Sequence, residues 1–154
     1  MNRLAVGLAT CCGCGYWPWG PGTVASLGAV FIAAGLHAYL ASGRLILLVL
    51  TALGMLPAIW ASTRTARLVN KVDPNIVVID EVLGQWVTLL GAKAFVWKSF
   101  VAGFVLFRLF DIWKPWPVRR LEKLPEGAGI VADDIAAGLY GALILYIGGT
   151  LKLY

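Results

Sequence analysis

Long apolar runs separated by short polar connectors dominate this sequence. Residues 23–41 and 44–60 form two such runs, joined only by Ser42 and Gly43. A helix needs about 20 predominantly apolar residues to cross the hydrocarbon core of a bilayer. The two runs therefore predict a helical hairpin at membrane depth.

Further apolar segments follow a basic connector, and they span residues 76–95, 96–113 and 129–149. Pro115 and Pro117 end the second of these, because proline cannot continue a helix and restrains the residue before it. The chain is 60% hydrophobic and only 14% charged, far from the composition of a soluble domain. We predict an all-α, polytopic membrane helical bundle with about five membrane helices, in which residues 1–154 form a single integral-membrane domain.

The basic residues predict the orientation of this bundle, since cytosolic loops carry an excess of lysine and arginine. With the N-terminus inside, the cytosolic side receives eight basic residues: Arg3, Arg64, Arg67, Lys71, Lys114, Arg119, Arg120 and Lys123. The external side receives four: Arg44, Lys93, Lys98 and Lys152. We therefore expect a cytosolic N-terminus, with Trp60, Trp113 and Trp116 in the cytosolic aromatic belt.

The net charge of +5 raises the question of a nucleic-acid partner. The basic residues are scattered between apolar runs and do not gather on one soluble face. Anionic lipid is therefore the expected partner, and nucleic acid is not expected. A cleavable signal peptide is not expected either, because the apolar stretch before residue 10 is too short for one.

Acidic residues are rare, and five of the eight lie in or at the edge of apolar segments: Asp80, Glu81, Asp111, Asp133 and Asp134. Ionisable groups at membrane depth are costly, so each one predicts a functional role. In the predicted topology all five fall at the cytosolic ends of their helices. The alternative is a set of interfacial charges that snorkel or pair locally, as Arg108 would with Asp111 three residues later.

Two of the acidic helices present faces of small or polar residues. Helical periodicity places Glu81 on one face with Gly84 and Thr88, and Asp134 on one face with Gly138 and Gly141. Small residues let helix backbones approach closely. We expect these two helices to pack together with their carboxylates facing inward.

A cluster of carboxylates favours a bound cation, because like charges repel unless something neutralises them. Oxygen ligands without nearby histidine or cysteine suit a hard cation, Mg²⁺ above all. Mg²⁺ typically bridges carboxylates to a substrate phosphate, which the nearby Arg108 and Lys114 would also attract. Thr23, in the sequence PGT, is expected to be the N-cap of the first long helix, beside backbone N–H groups that bind anions.

Cys11, Cys12 and Cys14 are the only cysteines, and they lie together in a glycine-rich stretch. A zinc or iron–sulfur site usually has four well-spaced ligands, whereas this stretch has three crowded thiols and no nearby histidine. We expect reduced cysteines that fill a tight cytosolic loop. Replacing all three by serine should leave most activity.

Four motifs occur in order along the chain: GYWPWGPGT, IDEVLGQW, FRLFDIWKPWP and GAGIVADDIAAG. Together they resemble the bacterial phosphatidylglycerophosphatase A family over nearly the whole chain. The resemblance implies a multi-pass, Mg²⁺-dependent lipid phosphatase of the bacterial inner membrane. Such an enzyme converts phosphatidylglycerophosphate to phosphatidylglycerol and inorganic phosphate.

The resemblance also implies residue roles. The acidic family positions fall on Asp80, Glu81, Asp111, Asp133 and Asp134, and the substrate-binding positions on Thr23, Arg108 and Lys114. The hypothesis is that Glu81, Asp111 and Asp134 hold one or two Mg²⁺ ions, with Asp80 and Asp133 completing the shell. Whether a carboxylate acts as nucleophile or as general base stays open.

Three alternative functions would require other sequence features. A small ion transporter would carry its ionisable groups through the depth of the membrane. A headgroup transferase would show a D-G to G-x-x-x-D-x-x-x-D signature, which this sequence lacks. In a non-enzymatic membrane subunit, the clustered acids would need only structural pairing.

Overall fold

Helices form the whole framework of the protein. The computed structural model describes residues 2–154, and within them there is no β-strand. The helices are α1 (Asn2–Ala9), α2 (Pro21–Tyr39), α3 (Gly43–Val69), α4 (Ile79–Leu90), α5 (Trp97–Trp113), α6 (Val118–Leu121) and α7 (Gly127–Thr150). The predicted all-α class is confirmed.

Three helices, α2, α3 and α7, are long and apolar enough to cross a membrane, counted over residues 2–154. The 12 residues of α4 and the 17 of α5 give lengths of about 18 and 26 Å. Both fall short of a hydrocarbon core about 30 Å thick. The expectation of about five membrane helices is therefore not confirmed, because two apolar segments form shorter helices than their sequences predicted.

Helix α3 is longer than its apolar run. It continues beyond Trp60 through a polar stretch to Val69 and ends where Asn70 adopts the left-handed conformation, with φ of 54°. Asparagine is one of the few residues that adopt this conformation readily at a helix end. An ion pair between Arg67 and Glu126 links this polar extension to the start of α7.

Two short helices lie outside the predicted segments. Helix α1 buries Ala9 against Ala61 and Ala66 of α3, and the backbone N–H of Val78 donates to the carbonyl of Ala9 over 2.8 Å. Helix α6 follows the proline-rich end of α5, where the Tyr140 hydroxyl donates to the Trp116 carbonyl over 3.0 Å. Both short helices therefore brace the connectors near the start of α4 and the end of α5.

Helices α4 and α7 pack closely through the faces on which the sequence places small residues. A Cβ added at Gly84 would lie 2.6 Å from the Asp134 carbonyl oxygen, and one added at Gly138 would lie 2.5 Å from the Gly84 carbonyl oxygen. The Thr88 hydroxyl donates to the Gly138 carbonyl over 3.1 Å. The expected contact between the two acidic helices is confirmed.

The chain direction of the helices defines two ends of the bundle. Helices α2, α4 and α7 begin at one end, where α5 also finishes. All eight acidic residues lie at this carboxylate end or in the connectors that join it: Asp73, Asp80, Glu81, Asp111, Glu122, Glu126, Asp133 and Asp134. The opposite end contains the α2–α3 and α4–α5 connectors and the C-terminus of α7.

Candidate functional site

Three carboxylates meet where α4 and α7 pack together. Asp80 and Glu81 belong to the first turn of α4, and Asp134 to the second turn of α7. One oxygen from each of the three lies within 4.8 Å of the others. Within residues 2–154, no other group of three acidic, histidine or cysteine ligands comes together in this way.

Asp80 and Asp134 are buried, Glu81 is half-buried, and all three carboxylates are incompletely paired. Asp80 is 7% exposed and Asp134 is 3% exposed. Asp80 Oδ1, Glu81 Oε2 and Asp134 Oδ2 have no hydrogen-bond partner in the described part of the chain. Buried charges without partners are costly, so this arrangement fits a site that a cation completes. The oxygen-only donor set matches Mg²⁺ better than a soft transition metal.

The other two predicted acidic residues each hold a basic side chain. Arg108 Nη1 donates to Asp111 Oδ2, and Lys114 Nζ donates to Asp133 Oδ2, each over 2.6 Å. The local pairing of Arg108 with Asp111 is thus present. Asp111 is absent from the carboxylate triad, whereas Asp80, expected to complete the shell, belongs to it.

Lys114 is held as a cation. Burial alone would lower the pKa of its ammonium group, but the hydrogen bond and ion pair with Asp133 raise that pKa above its ordinary value. Its backbone adopts the left-handed conformation at the end of α5, with φ of 46°. This geometry turns the chain out of α5 while the side chain reaches α7.

The start of α2 differs from the predicted cap, and the expectation that Thr23 is its N-cap is wrong. Gly20 is the N-cap in the left-handed conformation, with Pro21 beginning the helix; the fixed φ of proline suits a first helical position. The Thr23 N–H donates to the Gly20 carbonyl over 2.9 Å, and Thr23 itself is exposed. Gly22 occupies the position beside the carboxylates, where an added Cβ would overlap Glu81 Oε1.

A polar cavity of about 220 Å³ opens over the carboxylate triad. Its lining residues are Gly20, Pro21, Gly22, Asp73, Asn75, Val77, Asp80, Glu81, Arg108, Asp111, Lys114, Ile130, Asp133 and Asp134. Six of these side chains are carboxylates and two are basic. The cavity brings together seven of the eight predicted site residues, and Thr23 does not line it.

Asp73 and Asn75 are the polar cavity residues that the sequence did not single out. They lie in the connector between α3 and α4, in the sequence VDPN. Aspartate, proline and asparagine together are a common turn signal, so the pattern predicted a connector and not a site. Their position just before the acidic motif of α4 was the available clue.

The cysteine loop lies beside the start of α4 without joining the carboxylate triad. Cys11 is half-buried against the cluster that contains Ala25, Ala29 and Val78. Burial, reinforced by the neighbouring Cys14, raises the pKa of the Cys11 thiol to about 12. A thiol with so high a pKa is a poor nucleophile and a poor metal ligand at neutral pH.

Known proteins are similar to this chain over nearly its whole length. The family model described as phosphatidylglycerophosphatase A matches residues 7–148. The phosphatidylglycerophosphatase A of Escherichia coli (strain K12) is 38% identical over 152 residues, which cover 96% of this chain and 83% of that protein. Its counterpart in Haemophilus influenzae is 35% identical over 147 residues, covering 95% and 86%.

A protein of Bacteroides thetaiotaomicron named as a candidate phosphatidylinositol-3-phosphatase is 34% identical over 149 residues, covering 94% of this chain and 92% of that protein. No solved structure matches the chain. The family model and the two phosphatidylglycerophosphatases each extend over nearly the whole chain, so the matched region contains all four motifs. The chain belongs to the phosphatidylglycerophosphatase A family and is a phosphoric monoester hydrolase.

Proposed function

We propose that this protein removes the terminal phosphate from phosphatidylglycerophosphate, giving phosphatidylglycerol and inorganic phosphate, in a Mg²⁺-dependent reaction. The observation that supports the proposal most strongly is the set of three buried, unpartnered carboxylate oxygens beside two basic side chains. An anionic phosphate entering a cavity lined by six carboxylates and two cations needs an additional positive charge. A divalent cation provides that charge.

The proposed roles follow the pairing of the side chains. Asp80, Glu81 and Asp134 would hold Mg²⁺, which supplies charge neutralisation and a water of lowered pKa when bound. Arg108 would bind two oxygens of the phosphate, a geometry that its planar guanidinium favours. Asp111 orients Arg108 by accepting its hydrogen bond over 2.6 Å.

Two further groups would contact the same phosphate. Lys114 brings a permanent cation to the cavity wall, and Asp133 fixes its position. Gly22 is the second residue of α2, so its N–H has no intrahelical partner and lies at the positive end of the helix dipole. This N–H takes the anion-binding role that the sequence assigned to the region of Thr23.

The cavity volume supports a headgroup substrate. At about 220 Å³ the cavity is smaller than the roughly 300–1,000 Å³ of a pocket for a drug-sized ligand. A phosphate with its adjacent glycerol carbons is compatible with this volume, whereas two acyl chains are not. The chains would stay in the bilayer along the apolar outer faces of the helices.

We also propose that the carboxylate end faces the cytosol in a bacterial inner membrane. Support comes from the eight basic residues assigned to that side against four on the other. In this orientation the site meets headgroups of the inner leaflet.

The test is phosphate release from phosphatidylglycerophosphate in mixed micelles, with purified protein and either Mg²⁺ or a chelator. We expect release with Mg²⁺ and none with chelator. Asp134→Asn should lower the rate by at least about 100-fold, more than the loss of a residue that only supports a metal ligand. Glu122→Gln is the matched control, because Glu122 is an exposed carboxylate 3.6 Å from Lys114 that does not line the cavity. Equal release with and without Mg²⁺ would contradict the proposal.

The assay also separates related lipid substrates. The Bacteroides relative carries the name of a phosphoinositide phosphatase, so phosphatidylinositol 3-phosphate is the informative competitor. We expect phosphatidylglycerophosphate to have the higher kcat/KM. A higher kcat/KM for phosphatidylinositol 3-phosphate would still indicate a lipid phosphatase, but it would contradict phosphatidylglycerophosphate as the preferred substrate.

An ion transporter is not favoured as the alternative function. A transport pathway needs ionisable groups through the membrane depth. All eight acidic residues instead lie at one end of the bundle, where they suit a reaction at the membrane surface.

A further inference from the structure

A second, larger cavity lies at the end of the bundle opposite the carboxylates. Its volume is about 900 Å³, and it lies between the α2–α3 connector and the α4–α5 connector. Its lining includes the basic residues Arg44 and Lys93 and the apolar residues Leu45 and Phe95. We refer to this cavity as the distal groove.

Basic groups border the distal groove without acidic partners. The Arg44 guanidinium lies 5.1 Å from the centroid of the Phe95 ring, and Lys93 Nζ lies 5.6 Å from the centroid of the Tyr146 ring. Within residues 2–154, neither side chain forms an ion pair. All acidic residues lie at the other end of the bundle, so both cations remain available to an anion.

Apart from His37 and Ser42, the remainder of the distal groove is apolar. Leu45 and Leu48, on the first turns of α3, are 60% and 51% exposed and line the groove together with Leu90. Arg44 lies in the first turn of α3 and Lys93 in the α4–α5 connector. In a bilayer, this end of the bundle would lie among the lipid headgroups, and the leucines would extend from there toward the bilayer core. A ligand that matches this surface has an anionic head and an apolar tail.

We propose that the distal groove binds one anionic phospholipid of the membrane. Its phosphate lies between Arg44 and Lys93, and one acyl chain packs along Leu45 and Leu48. This site is separate from the hydrolytic site, because Asp80 lies in the first turn of α4 and the groove begins at Leu90, about 15 Å away along the helix axis. The bound lipid is not hydrolysed there, since no carboxylate lines the groove.

The experiment measures which lipids purified protein retains from vesicles of phosphatidylserine and phosphatidylcholine in equal amounts. Phosphatidylserine is the probe because it is anionic and has no terminal phosphate monoester for the hydrolytic site. We expect the wild type to retain phosphatidylserine preferentially. The double variant Arg44→Ala/Lys93→Ala should lose this preference by roughly tenfold, given the attraction that each basic residue exerts on anionic lipid.

Lys98→Ala/Lys152→Ala is the matched control, because it removes two positive charges from the same end but outside the groove lining. It should keep the preference for phosphatidylserine, and Arg44→Lys/Lys93→Arg should keep it too. Equal losses in the groove variant and the control would overturn the proposal, since general surface charge would then explain retention.

Two further measurements distinguish lipid binding from simpler effects. Glycerol 3-phosphate should not displace retained phosphatidylserine, because it lacks the acyl chain; displacement at similar concentrations would overturn the lipid assignment. Phosphatase activity of the groove variant should match that of the wild type, which shows that the variant is folded. The midpoint of its thermal unfolding should no longer rise with added phosphatidylserine, and a rise equal to that of the wild type would contradict the proposal.

Discussion

Gly22 is the residue at which the backbone comes closest to the charged cluster. A Cβ at this position would overlap Glu81 Oε1 and lie 3.2 Å from Arg108 Nη1. The atom in the way is the far end of a flexible side chain, so the backbone need not move to relieve the clash. Glu81 would turn aside instead and leave the carboxylate triad.

Gly22→Ala should therefore separate activity from stability. We expect phosphate release to fall by about 10- to 100-fold, the range seen when the supports of a metal site are altered, while the thermal unfolding midpoint stays within a few degrees of wild type. Gly28→Ala is the control on the same helix, since a Cβ there meets nothing within 4 Å. A Gly22→Ala variant as active as Gly28→Ala would remove Gly22 from the site.

Single residues also show how far the sequence could predict the site. Asp80, Glu81 and Asp134 were predictable because rare charges at the ends of apolar helices stand out and helical periodicity turns them inward. The N-cap of α2 could not be predicted in the same way. The helix begins after Gly20, which adopts a left-handed backbone conformation, and composition does not reveal that conformation. Asp111 lines the same cavity as the triad and accepts a hydrogen bond from Arg108, and sequence spacing alone does not reveal which of these neighbours it contacts.

At the scale of helices, the contact between α4 and α7 holds the triad together, because each contributes part of it. The faces with small residues predicted this contact, and Gly84 and Gly138 provide it. Helix lengths were less predictable. An apolar run of 20 residues suits a membrane helix, but Gly91 and the turn after it end α4 at Leu90, and sequence hydropathy contains no such signal.

Gly138→Ala should push α4 and α7 apart. Its Cβ would lie 2.5 Å from the Gly84 carbonyl oxygen and 3.1 Å from Val87 Cβ, and backbone atoms of a packed helix cannot move aside independently. We expect a loss of roughly 1–3 kcal/mol in stability, typical of overpacking, together with lower activity. Thermal unfolding in detergent measures the first effect.

Gly35→Ala is the matched control for this substitution, because a Cβ at Gly35 meets nothing within 4 Å. It should unfold at the wild-type temperature or slightly above it, because alanine favours a helix interior over glycine, and it should keep wild-type activity. If Gly138→Ala behaves in the same way, α4 and α7 are not in direct backbone contact.

At the scale of the whole molecule, charge is divided between the two ends of the bundle. The carboxylate end contains every acidic residue, and the opposite end contains the distal groove with its unpaired cations. The proposed orientation assigns the first end to the cytosol. The exposed thiols of Cys12 and Cys14 lie at the carboxylate end, in the loop that leads into α2, and so report which side that end faces.

A membrane-impermeant maleimide should therefore label the wild type in inside-out membrane vesicles and leave it unlabelled in right-side-out vesicles. The reacting groups are Cys12 and Cys14, because Cys11 is half-buried and its pKa of about 12 keeps it protonated and slow to react. The variant Cys11→Ser/Cys12→Ser/Cys14→Ser should lose the label and keep most activity. Adding Ser42→Cys to that variant places one exposed thiol at the opposite end, and labelling should then occur in right-side-out vesicles alone. Labelling of the native cysteines from the outer side would reverse the orientation and, with it, the leaflet from which the enzyme takes its substrate.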